Sequence, residues 1–382
     1  MSAPSTPAEL AEALREAAGR GQTIALAGNS TKRLMAGPLQ PADIAITTQS
    51  LRRVVQYEPH DLTISVDAGL AWCQLEQMLA ANRQMVPLDP PFACGATVGG
   101  VISANSSGPR RRLYGTARDL VIGMSLATVE GKLVQTGGMV VKNVAGLDMA
   151  KLMIGSFGTL AAIATVNFKL QPMPEVERSF IVPFDSAAQA VAARDSLLKG
   201  QLQPAAIDLL NPAAASGIGL PRWALALRAG GNAEAVERYE REFAQLGETR
   251  AFENDNQRAL WRQVEEFTPQ FLAAHEDGAV VRASCTLKEL EAVVTSFPGA
   301  VIARAASGVC YGYFEQWRAA AAWLKDAVRR GWKAVIEFAP DACRRKQELW
   351  PAPGADWELM KRVKNVFDPS NLLNRGRLYR RI

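Results

Sequence analysis

The sequence is poor in histidine and has no cysteines at metal-ligand spacing. Its 382 residues include two histidines, His60 and His275, so a metal site built on neighbouring histidines is excluded. Aspartate and glutamate nowhere cluster as a hard cation requires, and we therefore predict no metal. The cysteines never form C-x-x-C, which argues against a disulfide framework, an iron–sulfur cluster or structural zinc. The five are Cys73, Cys94, Cys285, Cys310 and Cys343.

Long apolar segments and strong charge are also missing. No stretch is apolar for long enough to cross a bilayer, and the N-terminal residues lack the pattern of a secretory signal. We therefore expect a cytoplasmic protein. The net charge of +5 is mild, and no stripe of Lys and Arg is interleaved with aromatic residues, so we expect no nucleic-acid partner. The charge either steers an anionic metabolite or acidic partner, or is only a solvated surface.

Glycine is concentrated in residues 88–164, beside Ser, Thr and Asn and between short apolar runs. Glycine permits φ > 0 and close approach of the backbone to a ligand, while the other three supply neutral hydrogen bonds. Successive N–H groups in such loops form concavities that hold phosphates. One such loop is typical of any β-rich domain, but three in one region favour a nucleotide-type cofactor.

An earlier segment shows the same chemistry. Residues 23–27 (TIALA) predict a buried strand, which leads into the turn Gly28-Asn29-Ser30-Thr31-Lys32. This turn has the donors of a phosphate-binding loop, and it is also consistent with a simple surface turn.

The length favours two domains, with a boundary near Pro172 and Pro174. Before it, Thr6-Pro7-Ala8-Glu9 predicts the start of a helix, and short strands and a helix at residues 71–82 follow. Beyond residue 175, strands alternate with helices without phosphate-type loops. This pattern predicts helices over one face of an antiparallel sheet.

The order of these blocks resembles the flavoprotein superfamily of vanillyl-alcohol oxidase and para-cresol methylhydroxylase. Within it, Gly108-Pro109-Arg110-Arg111 and residues 141–146 (VKNVAG) resemble the E subunits of bacterial glycolate oxidases. The resemblance implies an α+β fold with a two-subdomain FAD-binding domain at residues 1–175, to which residues 355–382 return. It also implies a small α+β cap with an antiparallel sheet at residues 176–354.

The resemblance also implies which residues bind FAD. Ser30 stands where the family often has another glycine, Leu147 replaces the usual Tyr, and Arg375 replaces the usual Pro. The residues that match the family's FAD-binding motifs are Gly28, Asn29, Ser30, Thr31, Lys32, Thr97, Gly99, Gly100, Asn105, Ser106, Gly108, Gly115, Arg118, Asp119, Gly155, Gly158, Thr159, Ile163 and Asn374.

Flavin attachment and the arginine triplet leave alternatives open. The turn Gly28-Asn29-Ser30-Thr31-Lys32 is the first loop of the FAD site that the resemblance implies. Because this first loop contains no histidine, we expect a non-covalent flavin. Cys94 is either an attachment point or a buried thiol of the usual kind. The triplet at residues 110–112 either contacts the FAD pyrophosphate or an acidic partner, or forms a solvated loop.

Oxidation of a 2-hydroxy acid needs a base, usually histidine, and a cation for the carboxylate. His60 lies at a predicted turn, and His275 lies in the cap with no second histidine near it. The first hypothesis is therefore an FAD-binding oxidoreductase subunit that relays electrons within a glycolate oxidase complex. The resemblance then implies a D-type FAD subunit and an F-type iron–sulfur subunit as partners, and it allows the complex to associate through them with the inner face of the membrane. A self-sufficient FAD-dependent 2-hydroxy-acid dehydrogenase and a scaffold with a vestigial flavin site are the alternatives.

Overall fold

The computed structural model describes residues 2–139 and 148–382 and divides the chain into two compact units. The first unit is Met1–Ser107, Gly115–Met173 and Ala352–Ile382, and the second is Gly108–Tyr114 and Pro174–Pro351. The sequence analysis expects one domain at residues 1–175 and 355–382 and a second at residues 176–354. The difference is the segment Gly108–Tyr114, which groups with the second unit. The motif at residues 141–146 and Leu147 lie outside the described residues.

The described residues form the following strands and helices. The strands are β1 (Ile24–Ala27), β2 (Ile44–Thr47), β3 (Val54–Glu58), β4 (Thr63–Asp67), β5 (Gln84–Met85), β6 (Val121–Ala127), β7 (Leu133–Gly137), β8 (Ala162–Lys169), β9 (Gln171–Pro172), β10 (Val176–Phe184), β11 (Ala206–Leu210), β12 (Trp223–Gly231), β13 (Arg250–Phe252), β14 (Ala279–Ser284), β15 (Val301–Arg304), β16 (Val309–Phe314) and β17 (Lys333–Phe338). The helices are α1 (Pro7–Gly19), α2 (Trp72–Ala80), α3 (Val98–Ser103), α4 (Arg111–Tyr114), α5 (Ala117–Leu120), α6 (Ala150–Met153), α7 (Ala187–Lys199), α8 (Pro212–Ala215), α9 (Ala233–Ala244), α10 (Asn254–Glu265), α11 (Phe267–Ala274), α12 (Leu290–Ser296), α13 (Trp317–Arg329), α14 (Asp341–Lys346) and α15 (Asp356–Phe367).

The first unit begins with a helix packed on a parallel strand pair. Thr6 caps α1 by accepting a hydrogen bond from the Glu9 N–H at 3.1 Å, as the sequence predicts. The apolar face of α1 is buried in a core that includes residues of β1 and β2. Because β1 and β2 are parallel, their carboxyl ends lie at one edge, where the Thr48 N–H donates to the Ala27 carbonyl at 2.9 Å. Gly28 and Thr48, which directly follow the two strands, therefore lie beside each other at this edge.

A five-stranded antiparallel sheet forms the other part of the first unit, in the order β3-β4-β8-β6-β7 within the described residues. Trp72 and Leu75 of α2 are fully buried in a core with residues of this sheet. Trp72 meets Phe168 of β8 edge to face, with ring centroids 6.2 Å apart. This core also buries Val98, Val101 and Ile102, so it fixes α3.

The second unit is an antiparallel sheet, in the order β13-β10-β12-β11-β15-β16-β14-β17 as far as the chain is described. Alternate residues of the strands, such as Leu209, Ala303 and Ile336, face a core shared with helices α7, α9, α12 and α13. The intervening residues face the opposite side. The predicted α+β fold with an antiparallel sheet is confirmed.

Residues 2–139 and 148–382 contain neither a membrane-spanning helix nor a cluster of metal-binding side chains. No helix there combines the length and the apolar character needed to cross a bilayer. No group of three or more His, Cys, Asp or Glu side chains there is placed to hold a metal ion.

A buried ion pair holds the C-terminal segment in the first unit. The Lys364 ammonium donates to Asp368 Oδ2 at 2.6 Å and to the Thr159 carbonyl at 2.7 Å. The Asp368 carboxylate also accepts from the N–H groups of Leu372 and Leu373 at 2.9 and 2.8 Å. Burial lowers the pKa of Lys364, and the hydrogen bond to Asp368 opposes that shift. The residues after α15 are thereby joined to the loop before β8.

We expect Asp368→Asn to lower the free energy of unfolding by about 3–5 kcal/mol, because it leaves a buried ammonium without its counter-charge. Urea denaturation followed by circular dichroism measures the change. Glu12→Gln is the matched control: it breaks the exposed pair with Arg15, and we expect it to leave the denaturation midpoint unchanged. Equal denaturation midpoints for the two variants would contradict this role of the buried pair.

Candidate cofactor site

A cleft opens in the first unit at the carboxyl end of β1. It encloses about 370 Å³ of space, counting the part that is open to solvent. This volume is within the range of small-molecule sites. Six residues predicted to bind the cofactor line it: Gly28, Gly99, Gly100, Gly158, Ile163 and Asn374.

Six further lining residues were missed, and most had a readable signal. Thr48 ends a strand parallel to β1, so the edge rule for parallel strands points to it. Ser103 is three and four residues beyond Gly100 and Gly99, on the same helix face. Ala161 shares the strand period of Ile163. The missed residues are Leu26, Ala27, Thr48, Ser103, Phe157 and Ala161.

The first loop approaches α3 closely. A Cβ added at Gly28 would lie 2.3 Å from Oγ1 of Thr97, so only glycine fits there. Asn29 donates its Nδ2 to the Gly95 carbonyl at 2.9 Å, which joins the first loop to the second loop, the residues that lead into α3. Ser30 adopts φ +56°, the left-handed region that a glycine would enter more easily. The substitution of serine for the family's glycine therefore falls at a position where glycine is favoured.

Two other residues of these loops have side chains in defined places. Lys32 is buried, with its ammonium 5.6 Å from the centre of the Phe92 ring. Thr97 caps α3, and its Oγ1 accepts a hydrogen bond from the Gly100 N–H at 3.2 Å. The cap fixes the orientation of the glycine turn of α3.

The glycines at positions 99 and 100 do not have the positive φ that a glycine-rich loop suggests. Gly99 and Gly100 are residues of α3 and have helical backbone conformation. At Gly99 a Cβ would lie 2.8 Å from the Cβ of Ala68, so this glycine allows the helix to pack against the end of β4. Close packing, rather than a left-handed backbone, is the reason for glycine here.

The loop of residues 155–159 does use left-handed backbone. Gly155, Phe157 and Gly158 have φ of +83°, +54° and +70°. The N–H groups of Gly155 and Phe157 donate to the carbonyls of Ile102 and Ser103 at 3.2 and 2.9 Å. These bonds attach the loop to the end of α3, and together they form one wall of the cleft.

Asn374 joins three segments of the cleft. Its Oδ1 accepts from the Leu26 N–H at 2.7 Å, and its Nδ2 donates to the Leu26 carbonyl at 2.9 Å. The same Nδ2 donates to the Phe157 carbonyl at 2.8 Å, and the Asn374 N–H donates to the Ile24 carbonyl at 3.0 Å. Asn374, which the sequence predicts for the site, therefore holds these segments together, and it also lines the cleft.

Three predicted residues border the cleft walls without lining the cleft. Asn105 is exposed and adopts φ +49°, and Ser106 donates its N–H to the Val101 carbonyl at 3.1 Å. Thr159 is buried, and its Oγ1 donates to the Ser156 carbonyl at 2.7 Å. Each stabilises a turn beside the site.

The predicted G-x-x-R-D turn has a local role. Asp119 accepts from the N–H and the hydroxyl of Thr116 at 2.8 and 3.1 Å, which caps α5. Gly115 has φ +83°, and a Cβ there would lie 2.5 Å from Asp119 Oδ2. Arg118 is exposed and donates to the Lys151 carbonyl at 3.2 Å. Gly115, Arg118 and Asp119 do not line the cleft.

Gly108 and the arginine triplet belong to the second unit. Arg112 donates to the Pro204 carbonyl and to Gln203 Oε1, both at 2.9 Å, and burial lowers its pKa. Arg112 therefore anchors α4 in its own unit and is not part of a solvated loop. The side chain of Arg111 acts electrostatically on Tyr311 and Glu337.

The cleft fits the phosphates and sugars of a dinucleotide. Within the described chain, no backbone carbonyl accepts from the N–H groups of Asn29, Ser30 or Thr31. Asn29 and Ser30 are also exposed, so this turn presents N–H groups to an anion. Neutral donors and glycine surfaces from Gly28, α3 and Gly158 surround the same opening. The residues present therefore suit FAD.

Comparison with known proteins agrees. Residues 2–137 match the model of an FAD binding domain, and residues 344–378 match that of the C-terminal domain of FAD linked oxidases. The chain therefore contains an FAD binding domain. 4-Ethylphenol oxidase from Gulosibacter chungangensis has the same fold, with a TM-score of 0.73 at 12% identity over 99% of this chain and 89% of that one.

Two curated relatives of this flavoprotein are subunits of glycolate oxidases. Subunit GlcE of Escherichia coli K12 is 30% identical over 200 residues, which is 52% of this chain and 55% of that protein. Subunit GlcD of Bacillus subtilis 168 is 27% identical over 168 residues, or 44% and 36%. The flavoprotein thus spans about half the length of these relatives, or less.

The second unit of the flavoprotein carries a row of polar side chains across adjacent strands. Arg304 pairs with Asp208, and its guanidinium lies 5.5 Å from the centre of the Tyr311 ring. Arg282 donates its Nε to Glu337 Oε1 at 2.9 Å. Burial raises the pKa of Glu337, which Arg282 opposes. The row lies on the sheet face opposite the helix-covered core.

The sequence flagged His275 and Cys94, and neither lines the cleft. His275 stacks on Phe271 with ring centroids 4.3 Å apart, and its Nδ1 lies 3.0 Å from the Phe271 carbonyl. His275 is the residue that follows α11, and these contacts hold it against the last turn of that helix. Cys94 is exposed, so the expectation of a buried thiol is wrong. Its position one residue before Gly95, at the tip of the second loop, accounts for the exposure.

We expect Gly158→Ala to weaken FAD binding at least tenfold. The added Cβ would lie 2.8 Å from Asn374 Nδ2, on the wall of the cleft, and it would strain a backbone at φ +70°. Fluorescence titration of the apoprotein with FAD measures the affinity.

Gly219→Ala is the matched control for this variant. Gly219 has φ +72° but no atom within 4 Å of an added Cβ, and it lies in the other unit. The backbone cost is therefore similar, and FAD affinity should not change. Equal affinities of the two variants would remove Gly158 from the site.

Proposed function

We propose that the chain is the FAD-binding subunit of a 2-hydroxy-acid oxidase complex of the glycolate oxidase type. The cleft lined by Gly28, Gly100, Gly158 and Asn374 is the observation that carries this proposal. The names of the two curated relatives support the complex and the substrate class. In this complex a D-type subunit supplies a second FAD and the substrate site, and an F-type subunit supplies iron–sulfur centres. The complex is placed in the cytoplasm, at the inner face of the membrane through its partners.

The subunit holds FAD without a covalent bond. The lining of the cleft, as far as the chain is described, includes no His, Cys or Tyr side chain that could attach to the flavin. Backbone N–H groups of the turn at residues 29–31 would bind the pyrophosphate. Asn374 and the loop of residues 155–159 would orient the cofactor by holding the two walls of the cleft in place.

FAD supplies the capacity to accept an electron pair and to pass electrons on singly. The chain's own residues decide whether substrate can donate that pair directly. A positioned base contributes about 10²–10⁴-fold to the rate, and usually it is histidine. His275 is engaged with Phe271, which supports a subunit that receives its electrons from a partner.

The second candidate is a self-sufficient 2-hydroxy-acid dehydrogenase, and Glu337 is the observation that favours it. Burial raises the pKa of this carboxyl group, and a carboxylate with a raised pKa is a stronger proton acceptor than an ordinary one. Arg282 and Tyr311 lie on the same face of the second unit, and a guanidinium binds a carboxylate well. Glu337 would then take the hydroxyl proton in place of a histidine.

Anaerobic mixing of the FAD-loaded chain with glycolate, and then with D-lactate, separates these functions. We expect no bleaching of the flavin by either acid until the D-type subunit is added. Acid precipitation of the loaded chain should release all of the flavin.

Bleaching within seconds by the chain alone, lost in Glu337→Gln and kept in the exposed control Glu358→Gln, would contradict the relay and establish the dehydrogenase. A chain that takes up no FAD would instead support the scaffold.

A further inference from the structure

Two thiols lie beside each other at the end of the β14–β16 pair in the second unit. Ala283 is opposite Cys310 in the register of these strands, and Ser284 is opposite Val309. The next residue, Cys285, donates its N–H to the Gly308 carbonyl at 2.8 Å. Cys285 and Cys310 are therefore diagonal neighbours on the same side of the ladder, and each thiol shifts the pKa of the other.

Glycine at position 308 allows this approach of the strands. Gly308 has φ +65°, and a Cβ there would lie 2.1 Å from the Cys285 carbonyl oxygen. The turn therefore holds the backbone of Cys285 close to β16. Diagonal neighbours on adjacent strands have Cα atoms about 7–8 Å apart, so the end of β14 must approach β16 by about 1 Å for a disulfide to form.

The two thiols differ in exposure. Cys310 is fully buried, whereas Cys285 is only partly buried. A small oxidant can therefore reach one sulfur while the other is held behind it. A partly exposed thiol with a buried neighbour is the arrangement in which the first is oxidised and the second resolves it.

The charges around the pair favour a thiolate on Cys285. The neighbouring thiol of Cys310 lowers the pKa of Cys285, burial and Glu289 oppose this, and Arg194 adds to it. Arg194 is buried, and its guanidinium donates to the carbonyls of Ala305 and Leu287 at 2.7 and 2.9 Å. The thiol of Cys285, together with burial, raises the pKa of Cys310. The negative charge therefore belongs on the more accessible sulfur, which is the nucleophile.

We propose that Cys285 and Cys310 are a dithiol that hydroperoxides oxidise to an intrachain disulfide. The Cys285 thiolate attacks one oxygen of hydrogen peroxide, the O–O bond breaks, and the leaving hydroxide takes a proton to become water. The sulfur of Cys310 then attacks the sulfenic acid at Cys285, and the S–S bond forms as a second water leaves. Two thiols and one peroxide thus give one disulfide and two waters. This site does not depend on the function of the flavin cleft.

Peroxide treatment of the full chain, alkylation under denaturing conditions and peptide mapping test the proposal. The expected result is a cross-linked pair of peptides containing Cys285 and Cys310, lighter by two hydrogens and restored by a dithiol reductant. Cys343, which is buried and whose pKa burial raises to about 11, should remain alkylatable.

Two variants sharpen the result. In Cys310→Ser we expect a sulfenic acid at Cys285 that dimedone traps, and in Cys94→Ser we expect the disulfide to form as in the wild type. The proposal is overturned if Cys285 and Cys310 both stay alkylatable while the exposed Cys94 is oxidised. Mapping of the wild type alone decides the matter if Cys310→Ser does not fold.

Discussion

The cleft at the carboxyl end of β1 depends on the side-chain amide of Asn374. Its two bonds to Leu26 continue the hydrogen bonding of β1 beyond the parallel pair, and its third bond holds the Phe157 carbonyl. Chain segments almost 350 residues apart thereby meet at one residue. The buried Lys364–Asp368 pair stabilises the same junction, because Lys364 also donates to the Thr159 carbonyl in the loop before β8. Without this junction, the first loop and the loop before β8 would not form opposite walls.

The left-handed backbone at this site is shared between glycine and other residues. Gly155 and Gly158 carry it in one loop, but Ser30, Asn105 and Asn374 carry it in the neighbouring segments. Each non-glycine residue costs free energy in that conformation, and surrounding contacts must hold it there. For Asn374 these contacts are the bonds to Leu26. Part of the stability of the first unit is thus used to shape the cofactor site.

Glycine content and strand-like runs direct attention to Gly28 and Gly158, where close approach of a backbone limits the choice of residue. The sequence was less informative about why a particular residue is needed at a position. Gly99 is required for packing against Ala68, which no local pattern reveals. The sequence left the triplet at residues 110–112 open between a ligand or partner contact and a solvated loop, because the partners of Arg112, Gln203 and Pro204, are some ninety residues away. Long-range contacts of this kind decide burial, and a single sequence does not contain them.

Hydrogen–deuterium exchange of the apoprotein and the FAD-loaded chain tests the central claim, that this cleft holds the cofactor. FAD should slow exchange in peptides covering residues 26–31, 97–103, 155–159 and 372–376, because binding stabilises the walls and uses the N–H groups of the first turn. Peptides from Gly115 to Leu120 should change little. Protection that spares the first turn and the loop of residues 155–159, and appears elsewhere, would contradict the account.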